Sequence, residues 1–178
     1  MAHISPPKPV KLFVGCIFAD KKVFEDAYLI LSKKYGTIDI FSDIWDFSHT
    51  NYYEKEMGKN LYKTFISFKD LILPETIKDI KIFSNELEES FQETLDMKRP
   101  INLDPGYLDA AKVILATTKD YTHRIYLASG IYAEVELFYQ QKTYHAWPWT
   151  YPDYQFPHYI DFFLGVRKVY REQLRHIN

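Results

Sequence analysis

The amino-acid sequence predicts an α+β fold built on an antiparallel sheet, and three observations carry that expectation. Runs rich in Val, Ile, Phe and Tyr alternate with segments whose apolar residues recur every three or four positions, in the order strand, helix, strand, strand, helix, strand. That is the ferredoxin-like split order, in which two helices cover one face of an antiparallel sheet. Past the fourth strand the chain adds a hairpin signal and a long amphipathic terminal helix, which extend this first half. Finally, 178 residues with 47% hydrophobic and 26% charged side chains fit one core of ordinary size, so residues 1–178 are expected to form a single domain.

The elements follow in order. Prolines at 6, 7 and 9 mark residues 1–10 as an extended arm. Residues 11–19, KLFVGCIFA, read as a buried strand. Asp20 caps a helix over 22–34, where Phe24, Ala27, Tyr28 and Leu31 share a face and Gly36 supplies the stop. A second strand is expected over Thr37 to Trp45, and a third over Leu61 to Leu71. Between them the polar, tyrosine-rich stretch Ser48 to Gly58 holds one helical turn. Pro74 opens a helix whose stripe of Ile77, Ile80, Leu87 and Phe91 runs to about residue 94, with Glu86, Glu88, Glu89 and Glu93 as a solvated acidic face. A strand over 99–104 completes the first half.

In the second half, Val113 to Thr117 is a strand, and Arg124 to Leu127 with Ile131 to Tyr139 form a hairpin. Its loop, Ala128-Ser129-Gly130, suits a type I turn followed by a bulge, because Gly takes the left-handed backbone without a Cβ penalty. In that register Leu127 opposes Ile131, Tyr126 opposes Tyr132 and Arg124 opposes Glu134, so the last four share one face. Ile125, Leu127, Ile131, Ala133, Val135 and Leu137 then make the core face. Phe156 to Leu174 is a helix that buries Tyr159, Phe162, Phe163, Val166, Val169, Tyr170 and Leu174 and turns Arg167, Arg171 and Arg175 outward.

Composition removes several function classes. Twenty-two basic against 24 acidic side chains give a net charge of -2, so no global field draws the chain onto nucleic acid, and any anion site is a local patch. Cys16, the single cysteine, has no disulfide partner, which fits a cytoplasmic protein, and its apolar neighbours fit a buried, inert thiol. No run approaches the roughly 18 apolar residues of a membrane span. The motifs GxxxxGK[ST], GxGxxG and GxSxG are missing, and none of the six histidines forms an HxH or HxxxH pair. The sequence therefore points to no metal site and names no cofactor.

Five segments carry a resemblance: Thr50 to Gly58 (TNYYEKEMG), Asn102 to Leu108 (NLDPGYL), Leu115 to Leu127 (LATTKDYTHRIYL), Gly130 to Val135 (GIYAEV) and Trp149 to Tyr154 (WTYPDY). Together with the spacing of Phe162, Phe163, Val166, Arg167, Tyr170, Gln173 and Leu174, they resemble the prokaryotic domain-of-unknown-function family numbered 4416 over nearly the whole chain. The resemblance implies no assigned activity. Some members carry a GTP-binding label, for which this chain offers no P-loop.

The same segments hold the candidate chemistry. Asp104-Pro105-Gly106 reads first as a type II turn, with Pro presetting its second position and Gly permitting its third. As a functional element, that turn aims the Asp104 carboxylate and the Gly106 amide into a cleft. Thr117, Thr118, Lys119, His123 and Arg124 form the densest set of hydroxyl, cationic and titratable groups, suited to a phosphate or carboxylate. The simpler reading of Arg124 is a cross-strand pair with Glu134, which leaves His123 and Lys119 unassigned. His123, Glu134 and Asp104 are the catalytic candidates, with His123 a general base or acid if Glu134 approaches it. Tyr132, Thr150, Tyr151 and Asp153 join them as ligand-binding candidates. The 147–154 segment is either an aromatic wall for a base or sugar or a strap packed over the sheet.

The leading expectation is a domain that binds a small anionic, nucleotide-like ligand in one polar and aromatic cleft, with catalysis left open. The alternative is a non-catalytic interaction module that uses a sheet edge or an aromatic loop to hold a protein partner or its own copy as a homodimer, and a third reading is RNA binding on a ferredoxin-like sheet face.

Overall fold

The computed structural model describes residues 3–95 and 98–177. The first two residues of the expected arm lie outside the described residues. Nine strands and four helices follow: β1 (Val10–Phe18), α1 (Lys21–Tyr35), β2 (Ile38–Phe41), β3 (Trp45–Phe47), α2 (Glu54–Met57), β4 (Leu61–Ile72), α3 (Ile77–Leu95), β5 (Ile101–Leu108), β6 (Lys112–Thr117), β7 (Ile125–Ala128), β8 (Ile131–Gln140), β9 (Thr143–Ala146) and α4 (Pro157–Leu174). All the strands join one sheet in the order β2-β4-β1-β5-β6-β8-β7, with β3 also beside β4 and β9 also beside β8. Every pairing in it is antiparallel.

Helices cover both faces of the sheet. The even-numbered residues of β1, Leu12, Val14, Cys16 and Phe18, pack with Val23, Phe24, Ala27 and Leu31 of α1 and with Ile77, Ile80 and Leu87 of α3. From the opposite face Phe13 and Phe65 pack against Tyr159, Phe162, Phe163 and Val166 of α4. All nine residues of β1 are buried as a result, and apart from Lys11, which pairs with Asp39, its sequence runs without polar alternation. Phe65 is the centre of the second core, with the rings of Tyr154, Tyr159, Phe162 and Phe163 at centroid distances of 4.9–5.6 Å. Each such ring contributes roughly 1.5–3 kcal/mol on burial. The local signals for α1 hold: the Asp20 carboxylate accepts from the Lys22 N–H at 2.8 Å, and Gly36 ends the helix at φ 93°.

Several expectations are corrected. The second strand is two short ones, β2 and β3, because the Ser42 hydroxyl accepts the Phe65 N–H at 2.9 Å and interrupts the ladder between them. Asp104-Pro105-Gly106 is no turn; it lies inside β5 with Asp104 opposite Gly15 and Pro105 opposite Val14. The Leu103 N–H leaves β1 and donates to Glu88 of α3 at 2.7 Å, so by strand parity Pro105 lacks its N–H on the same side. Pairing with β6 begins only at Gly106, so the proline breaks no ladder bond. Glu88 is accordingly no solvated residue but a partner of the strand edge.

The hairpin keeps Tyr126 opposite Tyr132, but its loop has two residues: Ser129 and Gly130 both have positive φ, at 54° and 77°, and Ala128 opposes Ile131. Two left-handed residues match the twist of the flanking strands, so the bulge moves from the turn into β7 at Leu127. As β7 is an edge strand, Ile125 and Leu127 are exposed instead of core. A second irregularity lies in β8, where Val113 opposes Leu137 and the next residue, Ile114, opposes Val135. Glu136 is the extra residue, and Leu137 therefore faces α4, away from Ile131. In α4, Val169 and Leu174 are only half-buried, and Arg167 is no outer residue: it donates to the Ala110 carbonyl at 2.9 Å and lies over the Tyr139 ring.

Candidate functional site

The α4-facing side of the sheet collects the polar candidates by parity. Lys63 and Phe65 of β4, Gly15 of β1, Asp104 of β5, Leu115 and Thr117 of β6, and Tyr132 and Glu134 of β8 occupy that face. Residues 147–155 run over it as a strap. The strap is fastened to the irregular stretch of β8: the Thr150 hydroxyl donates to the Glu136 carbonyl at 2.5 Å, the Trp149 indole to the Val135 carbonyl at 3.0 Å, and the Tyr151 N–H to the Glu136 carboxyl at 2.7 Å.

His123, Arg124, Glu134, Tyr151 and Lys119 form one network. The His123 ring nitrogen Nε2 lies 2.6 Å from Glu134 Oε2. Arg124 reaches both oxygens of the same carboxylate at 3.2 Å through Nε and Nη2, donates to the Tyr151 hydroxyl at 2.9 Å, and donates to the Lys119 carbonyl at 3.0 Å. The expected cross-strand pair is thus present, and it also holds His123 and the loop before β7. The Lys119 ammonium donates to the Tyr52 hydroxyl at 2.6 Å, which draws the 48–58 connection to the same place. Trp149 stacks nearly parallel on both His123 and Trp147, at 5.1 and 5.3 Å between centroids. The 147–154 segment is therefore both a packed strap and a partly exposed aromatic surface.

Asp104 belongs to a neighbouring group. It accepts from the Asn102 amide at 2.6 Å and lies 3.5 Å from the Lys81 ammonium, which also donates to the Leu103 carbonyl. Burial works against its charge, but Lys81, Lys63, the Asn102 amide and Arg99 outweigh burial and hold the carboxyl below its ordinary value. Arg99 extends this group to Asn102, to Glu56 at 3.2 Å and to Glu88 at 3.6 Å. Asp153 is the strap's own buried carboxylate, ion-paired with the buried Lys63 of β4 at 2.6 Å. Of the remaining candidates, Thr117 accepts the Lys119 N–H at 3.2 Å, Thr118 is exposed, and Gly106 is enclosed in the sheet, where its role is packing.

Sequence reasoning missed Glu136, Lys63, Lys81 and Arg99. Glu136 is fully buried, and among the described residues its Oε2 has no hydrogen-bond partner. Burial pushes its carboxyl up to about 8 against the Tyr151 N–H, with Glu134 and Asp153 adding to the rise. Two acidic residues in an apolar strand, at 134 and 136, were a signal in the sequence, but period-two alternation places both on one face and says nothing of the bulge. The sign of the pH effect follows from linkage. The folded chain keeps a proton that the unfolded chain releases near the ordinary 4.5, so stability falls as pH rises through this window and levels off above about 8. Glu136→Gln removes the titration and keeps an acceptor for Tyr151. Between pH 5 and 7 the parent is expected to lose about 1 kcal/mol per pH unit relative to this variant in urea denaturation. Parallel pH profiles would show that Glu136 ionises normally.

Two open cavities are present, the first against the 48–58 connection that Tyr52 ties to this network. One of about 430 Å³ is bordered by Asp46, Thr50, Glu54, Lys59, Asn60 and Tyr62; another of about 520 Å³ lies between α1 and β2, against Phe24, Tyr28, Leu29, Ile38 and Phe41. Among the described residues no helix is long and apolar enough to cross a membrane, and no group of three or more His, Cys, Asp or Glu side chains is arranged to hold a metal ion.

The chain belongs to the DUF4416 family, a domain of unknown function whose family model matches residues 8–170. No curated protein and no solved structure matches it.

Proposed function

We propose that the chain binds a small anionic, nucleotide-like ligand at the mouth formed by the 48–58 connection, the 117–124 loop and the 147–154 strap. The observation that carries this reading is the convergence of three segments distant in sequence, through Lys119 with Tyr52 and Arg124 with Tyr151. The two cations have different tasks. Arg124 is engaged by Glu134, Tyr151 and the Lys119 carbonyl, so it orders the mouth. Lys119 is exposed and its hydrogen-bond partner is a neutral phenol, so an incoming phosphate or carboxylate supplies the charge that Tyr52 does not. Exposed Trp147, Trp149 and Tyr151 offer surface for a base or sugar.

The fold supports this choice over RNA binding. We read β2-β4-β1-β5, with α1 and α3 on one face, as the ferredoxin-like half of the sheet. The face that RNA would need is occupied by α4, and the net charge of -2 supplies no compensating field. The buried lone Cys16 fits a reducing cytoplasm.

Thermal denaturation with ATP, GTP, sugar phosphates and inorganic phosphate tests the proposal. At least one is expected to raise the parent's Tm by about 2–5 °C at saturation. Lys119→Ala abolishes that rise, whereas Lys33→Ala, exposed on α1 across the sheet from the site, keeps it. No response from the parent, or an equal response from Lys119→Ala, overturns the reading.

A further inference from the structure

We propose that the outer edge of β7 pairs antiparallel with the same edge of a second copy of this chain, about a two-fold axis that joins two sheets into one. β7 ends the strand order, and among the described residues no strand takes its outer N–H and C=O groups. The side chains beside that edge are apolar and open to solvent: Ile125 is 71% exposed, Tyr126 57%, Leu127 39%, and Tyr121 of the preceding loop 65%. Edges that must stay single are usually blunted by lysine or proline, and β7 carries neither. Its bulge at Leu127 shortens the regular ladder, so most of the contact comes from side chains.

The occupant is a second copy because the surface complements itself. Residues 125–133 carry no charged side chain, and Arg124 at their start is neutralised by Glu134 of its own chain. A two-fold axis therefore brings no like charges together, whereas a basic or acidic partner finds nothing to pair with. The opposite end of the sheet also exposes Phe41 and Ile44, but there Asp43 and Asp46 stand among them. The four named side chains expose on the order of 500 Å² per copy, or about 1,000 Å² for the pair, which reaches the lower range of stable dimer interfaces. The pairing requires no ligand.

Sedimentation of the full chain tests the proposal. The parent is expected to reach twice its 21.2 kDa mass as concentration rises. Ile125→Lys, a change at an exposed position, is expected to sediment as a monomer with the parent's circular dichroism, and with the parent's Tm at dilutions where the parent is itself monomeric. Leu29→Lys, exposed on α1, remains dimeric. Mixing Ile125→Lys with Ile125→Glu restores the dimer mass through opposite charges. A parent that stays monomeric up to about 100 μM, or a dimer that Ile125→Lys leaves intact, overturns the proposal.

Discussion

Gly106→Ala is expected to leave little or no folded protein. A Cβ at this position would lie 2.2 Å from the Ile114 carbonyl oxygen and 2.5 Å from Phe13 Cζ. Neither neighbour has room to retreat. Ile114 opposes Tyr107 in the β5–β6 ladder, so moving its carbonyl breaks the short stretch that joins the two halves of the sheet. Phe13 is fully buried, with its ring 5.0 Å from that of Phe163 in the α4-side core. Overpacking a core with side chains alone costs about 1–3 kcal/mol, and losing ladder bonds adds to it, so a total above about 4 kcal/mol is expected. That is a large part of the roughly 5–15 kcal/mol available to a domain. Gly165→Ala is the control: Gly165 is exposed on α4 with nothing near a new Cβ, and alanine there stabilises a helix by about 1 kcal/mol. Urea denaturation of both variants decides the point. A Gly106→Ala protein that unfolds at the parent's midpoint would mean that β5 and β6 are further apart than described.

That position also marks the boundary of what the sequence revealed. Local chemistry was legible: the Asp20 cap, the Gly36 stop and the periodicity of α3 and α4 depend on neighbours within one or two turns. The Arg124–Glu134 pair was legible too, since opposite positions in an antiparallel hairpin share a face whatever turn joins them. Asp104-Pro105-Gly106 was not, because its strand conformation depends on Glu88 and Lys81 reaching across from α3 to satisfy Leu103. The mouth of the site was half legible. Tyr52 stood in a connection noted for its tyrosines, but its contact with Lys119 joins residues 67 positions apart, which no local pattern encodes.

Asp153→Ala is expected to cost about 3–5 kcal/mol, because it strands a buried cation. Lys63 is 4% exposed at its side chain and Asp153 7%, with 2.6 Å between ammonium and carboxylate. The rings of Phe47, Phe65, Tyr154 and Tyr159 surround the ammonium at 4.7–5.5 Å. They are attractive, but desolvated cation–π contacts contribute about 2 kcal/mol and do not replace the lost charge. His49 is 4.0 Å from the other Asp153 oxygen and adds little. Replacing both members with apolar residues of similar volume, Lys63→Met with Asp153→Leu, removes the cation as well as its partner and is expected to recover most of the loss. A double variant as unstable as the single one would place the cost in strap packing instead of charge. The strap is the link to function: Asp153 follows Thr150 and Tyr151 on the same segment, which β8 holds through Glu136. The double variant is therefore expected to regain stability and, with the strap back in place, the ligand response of the parent. If stability returns without that response, the Lys63–Asp153 pair serves the site directly and is more than a fastening for the strap.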